Sequence, residues 1–414
     1  MILGPSVQSI AHHAIFRPPR RRTVVESVMT SVGSMARPVG SPGLDEVERW
    51  ICTPPRADDP VAANRRWLRS TAADLSGPVD GPRRPAPDGL VQGVDVLASA
   101  LAASGGPSVD GPVLVGARAA AAGLGRRGAT SVGGNAHLLE AADGMICLNL
   151  ARPEDFDALP ALVGPEVRGP LLDPTDWPAV RRALAGRTRT ELVEAADLLG
   201  LPLGVPGTAP SRPLVASIVP LRSERPSQPV VVEFGSLWAA PLCGGLLARA
   251  GCRVVKVESV RRPDGARRGP ASFFASLNSG KEEVTVDPTT KAGLEQVRRL
   301  VDGADVVLEA SRPRALAHWG LDAQAEVARG VVWASITGYG RTGQRSGGVA
   351  FGDDAAVSGG LVFDEPRGFV ADAVADPVTG MLAAVAVRAA LDDGVGALLD
   401  LSLAGTAGWL AGST

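Results

Sequence analysis

"PVVVEFGSLWAAPLCGGLLARAGCRVVKVES", residues 229–259, reads as a strand, a loop, a helix and a second strand. Its two Val-rich runs are short and β-branched, whereas the Ala/Leu/Gly segment between them has the length and composition of a helix. Together they make a compact βαβ unit. A second alternation follows: "EEVTVD" (282–287), a helix over 290–301, "ADVVLEA" (304–310), a helix around Ala315 and "GVVWASITGYG" (330–340). Strands that alternate with helices predict an α/β fold, Rossmann-like, with a mostly parallel, doubly wound sheet. "ADPVTGMLAAVAVRAAL" (375–391) reads as a long helix, and "ALLDLSLAGTAGWL" (397–410) as a strand running into a helix. A dinucleotide fingerprint needs G-x-G-x-x-G after the first strand so that backbone can approach a pyrophosphate. The loop here, "EFGSLWAAP", offers Gly235 and the bulky Trp238 and fails that test.

Upstream, the texture differs. Residues 1–42 read as a disordered leader, 43–210 as an N-terminal region holding a smaller α+β domain, 211–228 as a Pro/Ser-rich linker, and 229–414 as the Rossmann-like domain. Within 43–210, Asp59 and Pro60 open a helix as cap and first-turn proline. "GATSVGGNAHLLEAADG" (128–144) reads as turn-rich, "MICLNL" (145–150) as a short buried strand, and Gly200 as a helix stop.

Composition narrows the function classes. The chain has 414 residues, a formal net charge of −2 and 45% hydrophobic content, which builds ordinary cores and offers no polycationic surface for nucleic acid. Cys52, Cys147, Cys243 and Cys252 show neither zinc-site nor disulfide spacing, so no metal is expected. His12, His13, His137 and His318 are scattered. No apolar run approaches a membrane helix, and the default compartment is the cytoplasm. Among 42 basic residues only Lys256, Lys281 and Lys291 are lysines, which draws attention to the first two, close in sequence.

From Val230 onward the motifs "VVVEFGSLWAAPLCGGLLARAGCRVVKVE", "FFASLNSGKEEVTVD", "ADVVLEASRPRALAHWGLD", "VVWASITGYGRTG" and "VADPVTGML" occur in that order. Together they resemble the amino-terminal half of family III CoA-transferases, the group that includes formyl-CoA and carnitine CoA-transferases and the α-methylacyl-CoA racemases. "GGNAHLLEAADGMICLNLARPEDFDAL" and "RTRTELVEAADLLGLPLGVP" resemble, more weakly, the carboxyl-terminal part of the same family. The resemblance implies halves in permuted order and an interlocked homodimer in which both chain ends build the large domain. The segments around Leu150 and Val231 are then expected to pack in one interwoven molecule. Joining neighbouring, exposed ends is physically tolerable.

The resemblance also implies an activity: CoA moves from an acyl-CoA thioester to a carboxylic acid through an aspartyl intermediate, with CoA as substrate and no permanently bound cofactor. Asp376 matches the family's nucleophile. On the residues alone, Asp376-Pro377 reads as an N-cap, and the two uses are compatible, since a helix N-terminus favours the ionised carboxylate. Asp372, four residues earlier, reads as a loop or surface acid. Asp353 and Asp354 stand where transferases of the family carry a second acid, and equally where a helix cap is expected. Racemases place a His beside that acid; Gly352 stands there instead, which disfavours proton transfer at an α-carbon. CoA contacts implied by the resemblance are Leu237, Trp238, Lys256, Glu258, Arg262, Asn278, Lys281, Arg312 and Tyr339. The family's "E-N-F-R-P-G" is "EASRPRAL" here, and "SVGGNA" (131–136) is the nearest counterpart of its Gly-rich loop. A CoA-ester-binding protein that keeps the fold without turnover is the alternative from another class.

Overall fold

The computed structural model describes residues 40–56, 58–87, 89–164, 176–209, 214–221, 225–311 and 313–412. Nearly all of the region read as a leader lies outside them.

The smaller unit is a three-stranded antiparallel sheet, β1 (Ala136–Ala141), β2 (Gly144–Asn149) and β3 (Leu203–Gly204), in that order. Helices Pro153–Val163, Trp177–Leu184 and Arg189–Leu199 cover it over a core of Leu139, Ile146, Leu148, Leu159 and Leu192. Gly200 ends the last of these helices, as the sequence reading expects, and does so in the left-handed conformation (φ 68°). Strand β1 is a correction, because 128–144 reads as turns. The reason is that β1 is buried on both faces: Ala136 and Leu138 enter one core, Leu139 and Ala141 another. The polar-apolar alternation that announces a half-buried strand is therefore missing.

The large unit is a seven-stranded sheet in the order β4-β12-β9-β8-β5-β6-β7. Its strands are β4 (Val215–Pro220), β5 (Val230–Phe234), β6 (Arg253–Ser259), β7 (Glu282–Val286), β8 (Val306–Glu309), β9 (Val332–Thr337) and β12 (Val395–Ser402); β10 (Val362–Phe363) and β11 (Gly368–Phe369) form a separate short hairpin. Only β4, which lies in the stretch read as a linker, runs antiparallel. Within each parallel strand, successive residues feed opposite layers. Val231, Val306, Leu308 and Val332 join one core, and Val232, Val307 and Trp333 the other. Burial on both faces explains why these strands are continuous Val-rich runs.

After the edge strand β4 the chain crosses to β5, winds outward through β6 and β7, then returns to the other side of β5 at β8. The switch point lies between β5 and β8, where open α/β sheets place their ligands, at the carboxyl ends of the strands. Helix Ala375–Asp392 is the centre of the molecule. Nearly every residue in it is buried, between the sheet and the N-terminal helices Leu44–Ile51 and Leu90–Ala103. Its Ala and Gly residues permit that approach.

Leu150 belongs to the small-domain core and Val231 to the large one. The two units meet where Ala136, Leu138, Met145 and Cys147 pack with Val357 and Phe369.

Candidate active site

Asp376 stands in the first turn of the Ala375–Asp392 helix, beneath a turn at 370–374. The cap position is Val374, already helical (φ −58°, ψ −27°), and no side chain caps this helix. Asp376 is thus a first-turn residue, which corrects the reading of it as an N-cap. Its N–H donates to the Ala373 carbonyl at 2.9 Å. Gly352 is required opposite: a Cβ there would lie 2.4 Å from the Ala373 carbonyl oxygen and 2.8 Å from Cγ of Asp376.

Around Asp376 gather Asp353 and Asp354, from helix Gly352–Gly359, and Asp372. Asp353 is 8% exposed, and Asp354 and Asp372 are wholly buried; Asp376 alone of the four keeps appreciable solvent access. One cation, Arg118, serves this group. Its Nε donates to Asp372 Oδ2 at 2.9 Å, and its Nη2 donates to Asp372 Oδ1. Asp372 lies in the turn but is wholly buried and paired, which corrects its reading as a surface acid. Burial pushes the Arg118 guanidinium down, but Asp372, through charge and hydrogen bond, together with Asp353 and Asp376 outweighs it and holds Arg118 above its usual range. Asp353 Oδ1 accepts from the Ala373 N–H (3.0 Å), and Asp354 Oδ1 accepts from Asn149 Nδ2 (2.8 Å) and the Phe351 N–H (3.0 Å). Asp354 is thus tied to backbone and to the small domain, which assigns it a structural role in place of a catalytic one.

Burial and crowding raise these carboxyls. Asp376 is pushed up to about 7 by burial, against Arg118 and together with Asp353, Asp354 and Asp372. Asp353 rises to about 6 by burial and by Asp372, and Asp354 to about 7 by burial. Asp376 is thus held near half-ionisation at neutral pH, whereas the helix-dipole argument alone expects it to be fully ionised. The energetic consequence has a definite sign. A carboxyl raised on folding binds its proton more tightly in the native state, so stability falls as pH rises from about 4 to about 7. Asp354→Asn keeps the acceptor for Asn149 and Phe351 and removes the ionisation. Thermal unfolding from pH 4 to 8 should show the variant gaining on the wild type above pH 7, by on the order of 3 kcal/mol, with the gain vanishing near pH 4.

The second component is the β5 loop. Leu237 has φ 69°, and its N–H donates to Asp264 Oδ1 at 2.8 Å. Lys256 is wholly buried, pairs with Glu233 (3.2 Å) and Asp264 (2.9 Å), and donates to the Gly235 carbonyl at 2.7 Å. Lys281 donates to Glu233 (2.7 Å), the Pro241 carbonyl (2.8 Å) and Asn278 Oδ1 (2.9 Å). Burial pushes the Lys256 ammonium down, yet Glu233 and Asp264 outweigh it and hold it above its usual range; for Lys281 burial prevails and the ammonium is lowered. The two rare lysines therefore have no donor left for a nucleotide, and Asn278, buried, spends its oxygen on Lys281. Their work is to brace the 235–238 loop. Trp238 is 2% exposed and packs edge-on against Phe273, and the Tyr339 hydroxyl donates to the Leu203 carbonyl at 3.0 Å. These two are corrected as well, from CoA contacts to core residues.

A cleft of about 1660 Å³ opens at the switch point, lined by Phe234–Ser236 at the end of β5, Val257–Ser259 at the end of β6, and Ala310 and Ser311 after β8. The opposite wall comes from the small domain through Arg152, Glu154 and Glu194. Leu237 stands exposed at its rim, and Glu258, which accepts from the Asp264 N–H and pairs with Arg267, lines it. Arg261, Arg262 and Arg314 are exposed along the sheet-side wall. The cleft lining stops at Ser236, two residues short of Trp238, and Arg118 lies 5.9 Å from the Trp238 ring on the far side. The loop thus joins the cleft to the carboxylates. Arg312 lies outside the described residues.

Sequence reading missed Arg118, Ser76, Asn149 and Arg314. The first three sit in the N-terminal half, far along the chain from Asp372, Asp354 and the Ala371 N–H (which donates to Ser76 Oγ at 2.9 Å) that they hold, and carry no motif.

Sheet order and the switch-point cleft define the class, a doubly wound α/β protein. Residues 227–414 match the family model described as CoA-transferase family III. The chain is 30% identical over 205 residues to a succinyl-CoA–D-citramalate CoA-transferase of Chloroflexus aurantiacus, covering 44% of this chain and 51% of that protein. It is 33% identical over 199 residues to a succinate–glutarate CoA-transferase of Agrobacterium fabrum, covering 42% and 49%. The chain spans about half the length of the curated relatives it matches. A solved CaiB/BaiF family protein from Brucella suis is 31% identical, with a TM-score of 0.41 over 45% of this chain and 55% of that one.

Proposed function

We propose that this protein transfers CoA from an acyl-CoA thioester to a carboxylic acid, with Asp376 as the nucleophile. The observation that carries the reading is selective access: of four clustered carboxylates, only the one on the helix start is open to a substrate. In this reading the nucleotide end of CoA lies in the switch-point cleft, with its phosphates toward Arg261, Arg262 and Arg314. The pantetheine arm follows Ser236 and Leu237 toward Asp376. Ionised Asp376 attacks the thioester carbonyl and expels CoA thiolate, giving an aspartyl-acyl anhydride. The thiolate then attacks the aspartyl carbonyl, releases the acyl carboxylate and leaves an aspartyl-CoA thioester. The acceptor carboxylate attacks that thioester, and the expelled thiolate regenerates the free Asp376 by taking the acceptor's acyl group. Asp353, beside Asp376 and nearly buried, tunes its charge.

Two further readings belong to the same proposal. The N-terminal half is the counterpart of the family's carboxyl-terminal half, in permuted order. Its support is that Arg118 and Asn149 reach the carboxylates Asp372 and Asp354, and Ser76 Oγ accepts from the Ala371 N–H between them. The functional unit is a homodimer. A racemase is disfavoured by the described histidines: His137 stacks on Trp177 and His318 lines the cleft, neither beside Asp376.

The test is a donor and acceptor panel read by formation of the acceptor's CoA thioester, with mass spectrometry of the peptide holding Asp376 after hydroxylamine. A hydroxamate on Asp376 supports the nucleophile; CoA transfer with no modification there removes it. The cleft has its own test. Arg314→Ala should raise KM for acyl-CoA roughly tenfold with kcat unchanged, since losing a charge-assisted contact distant from the chemistry weakens ground state and transition state alike.

A further inference from the structure

We propose that Arg118 and Asp372 form a positioning clamp that locks the strained turn at 370–374 and so fixes where Asp376 presents its carboxylate. The inference rests on the reading of Asp376 as nucleophile only for its catalytic consequence; its structural part stands alone.

Ala371 (φ 54°) and Ala373 (φ 45°) lie on either side of Asp372, and with Leu237 they are the described non-glycine residues with positive φ. Left-handed alanines cost of order 1–3 kcal/mol each and persist only where their surroundings over-determine them. Here the holds are visible. The Ala371 N–H donates to Ser76 Oγ at 2.9 Å, and the Ala373 N–H donates to Asp353 at 3.0 Å. Between them Asp372, wholly buried, accepts the two-pronged donation of Arg118. A planar guanidinium fork fixes a carboxylate in direction as well as distance. The next link is direct, because the Asp376 N–H donates to the carbonyl of the strained Ala373. Movement at Asp372 is therefore passed to Asp376 within one hydrogen bond.

Arg118 is itself held. It starts from helix Ala117–Ala122, lies near the Trp238 ring, and passes close to Gly133, where a Cβ would stand 3.2 Å from its Nη2. The clamp thus ties three segments together: the 131–134 loop, the β5 loop and the nucleophile turn. The titratable groups facing Asp376 are Arg118, Asp353, Asp354 and Asp372, with the Cys147 thiol of β2 facing Asp353 and Asp354 from behind. Arg118 is the cation of that set, so its removal changes charge as well as geometry.

The experiment compares wild type with Arg118→Met, Arg118→Lys and Asp372→Asn. In Arg118→Met, hydrogen exchange at the amides of Ala371 and Ala373 is expected to rise at least about tenfold as the turn relaxes. Its kcat should fall roughly 100-fold, the cost of misplacing a reacting group by about an ångström, with KM for acyl-CoA little changed. The acid limb of its pH–rate profile should move up by about one unit or more, since three neighbouring carboxylates then lack a counter-charge. Arg118→Lys restores the acid limb and recovers only part of the rate. Should Arg118→Met fail to fold, Asp372→Asn opens the same pair while Asp353 and Asp376 remain to face the Arg118 charge, and it is expected to give the same exchange increase. Unchanged protection of both amides in a folded variant overturns the clamp. A wild type with no adduct on Asp376 removes the nucleophile reading alone, and the exchange measurement then decides the clamp by itself.

Discussion

Asp376→Ala is expected to abolish CoA transfer, by at least about 1000-fold in kcat, while acyl-CoA still binds with near wild-type affinity. The split follows from the geometry. The cleft that holds the nucleotide end is built from β5, β6, β8 and the small domain, and Asp376 is no part of its lining. Asp376→Asn should be as inactive, since an amide cannot form the anhydride, and its fold should be undisturbed. The wild type supplies the control through pH. With the Asp376 carboxyl pushed up to about 7, the attacking anion is the minor form at pH 6 and the major form at pH 8. Transfer should therefore rise about tenfold per unit below the midpoint and level off above it. Single-turnover rates of acyl-carboxylate release from the donor from pH 5 to 9 measure that limb. A flat profile together with turnover in Asp376→Ala would assign the chemistry to another group.

The large domain was legible for a physical reason: strands buried on both faces must be apolar throughout, and β5, β6, β8 and β9 are short Val-rich runs separated by helices. Strand β1 is buried on both faces too, yet its Ala, His and Glu hid it. Of the site, Asp376 was legible only through resemblance, since an Asp-Pro pair at a helix start has an ordinary explanation. Asp372 was read as a surface acid because nothing local shows that left-handed alanines turn it inward. Arg118, with 254 residues between it and Asp372, sits in an Ala-rich helix without any motif; only the tertiary fold brings the two together. The scarcity of lysine pointed correctly to Lys256 and Lys281. Their role was misassigned, because Glu233 and Asp264, which consume their charge, are identified by burial and not by spacing.

That buried quartet sets the second large effect. Glu233→Ala is expected to destabilise the protein by roughly 3–5 kcal/mol, measured by denaturant titration, because it strands charges that no solvent reaches. Glu233 is the shared partner of Lys256 and Lys281, and all three side chains are wholly buried. Gly244 makes the arrangement possible: a Cβ there would lie 2.0 Å from Glu233 Oε2. Asp264 still neutralises Lys256 in the variant, whereas Lys281 keeps only the neutral acceptors Pro241 and Asn278. Lys281 is already lowered in the wild type, by burial acting against Glu233, and without Glu233 it falls further. The unfolded chain then binds the proton that the folded one has lost, so the stability of the variant rises with pH toward the ordinary lysine range near 10. The deficit relative to wild type should be largest near neutrality and shrink as pH rises. The same loss releases the 235–238 loop, since Lys256 is its tie to the Gly235 carbonyl. Affinity for acyl-CoA should therefore fall alongside stability, and a variant that lost stability while keeping full affinity would separate the quartet from the cleft it braces.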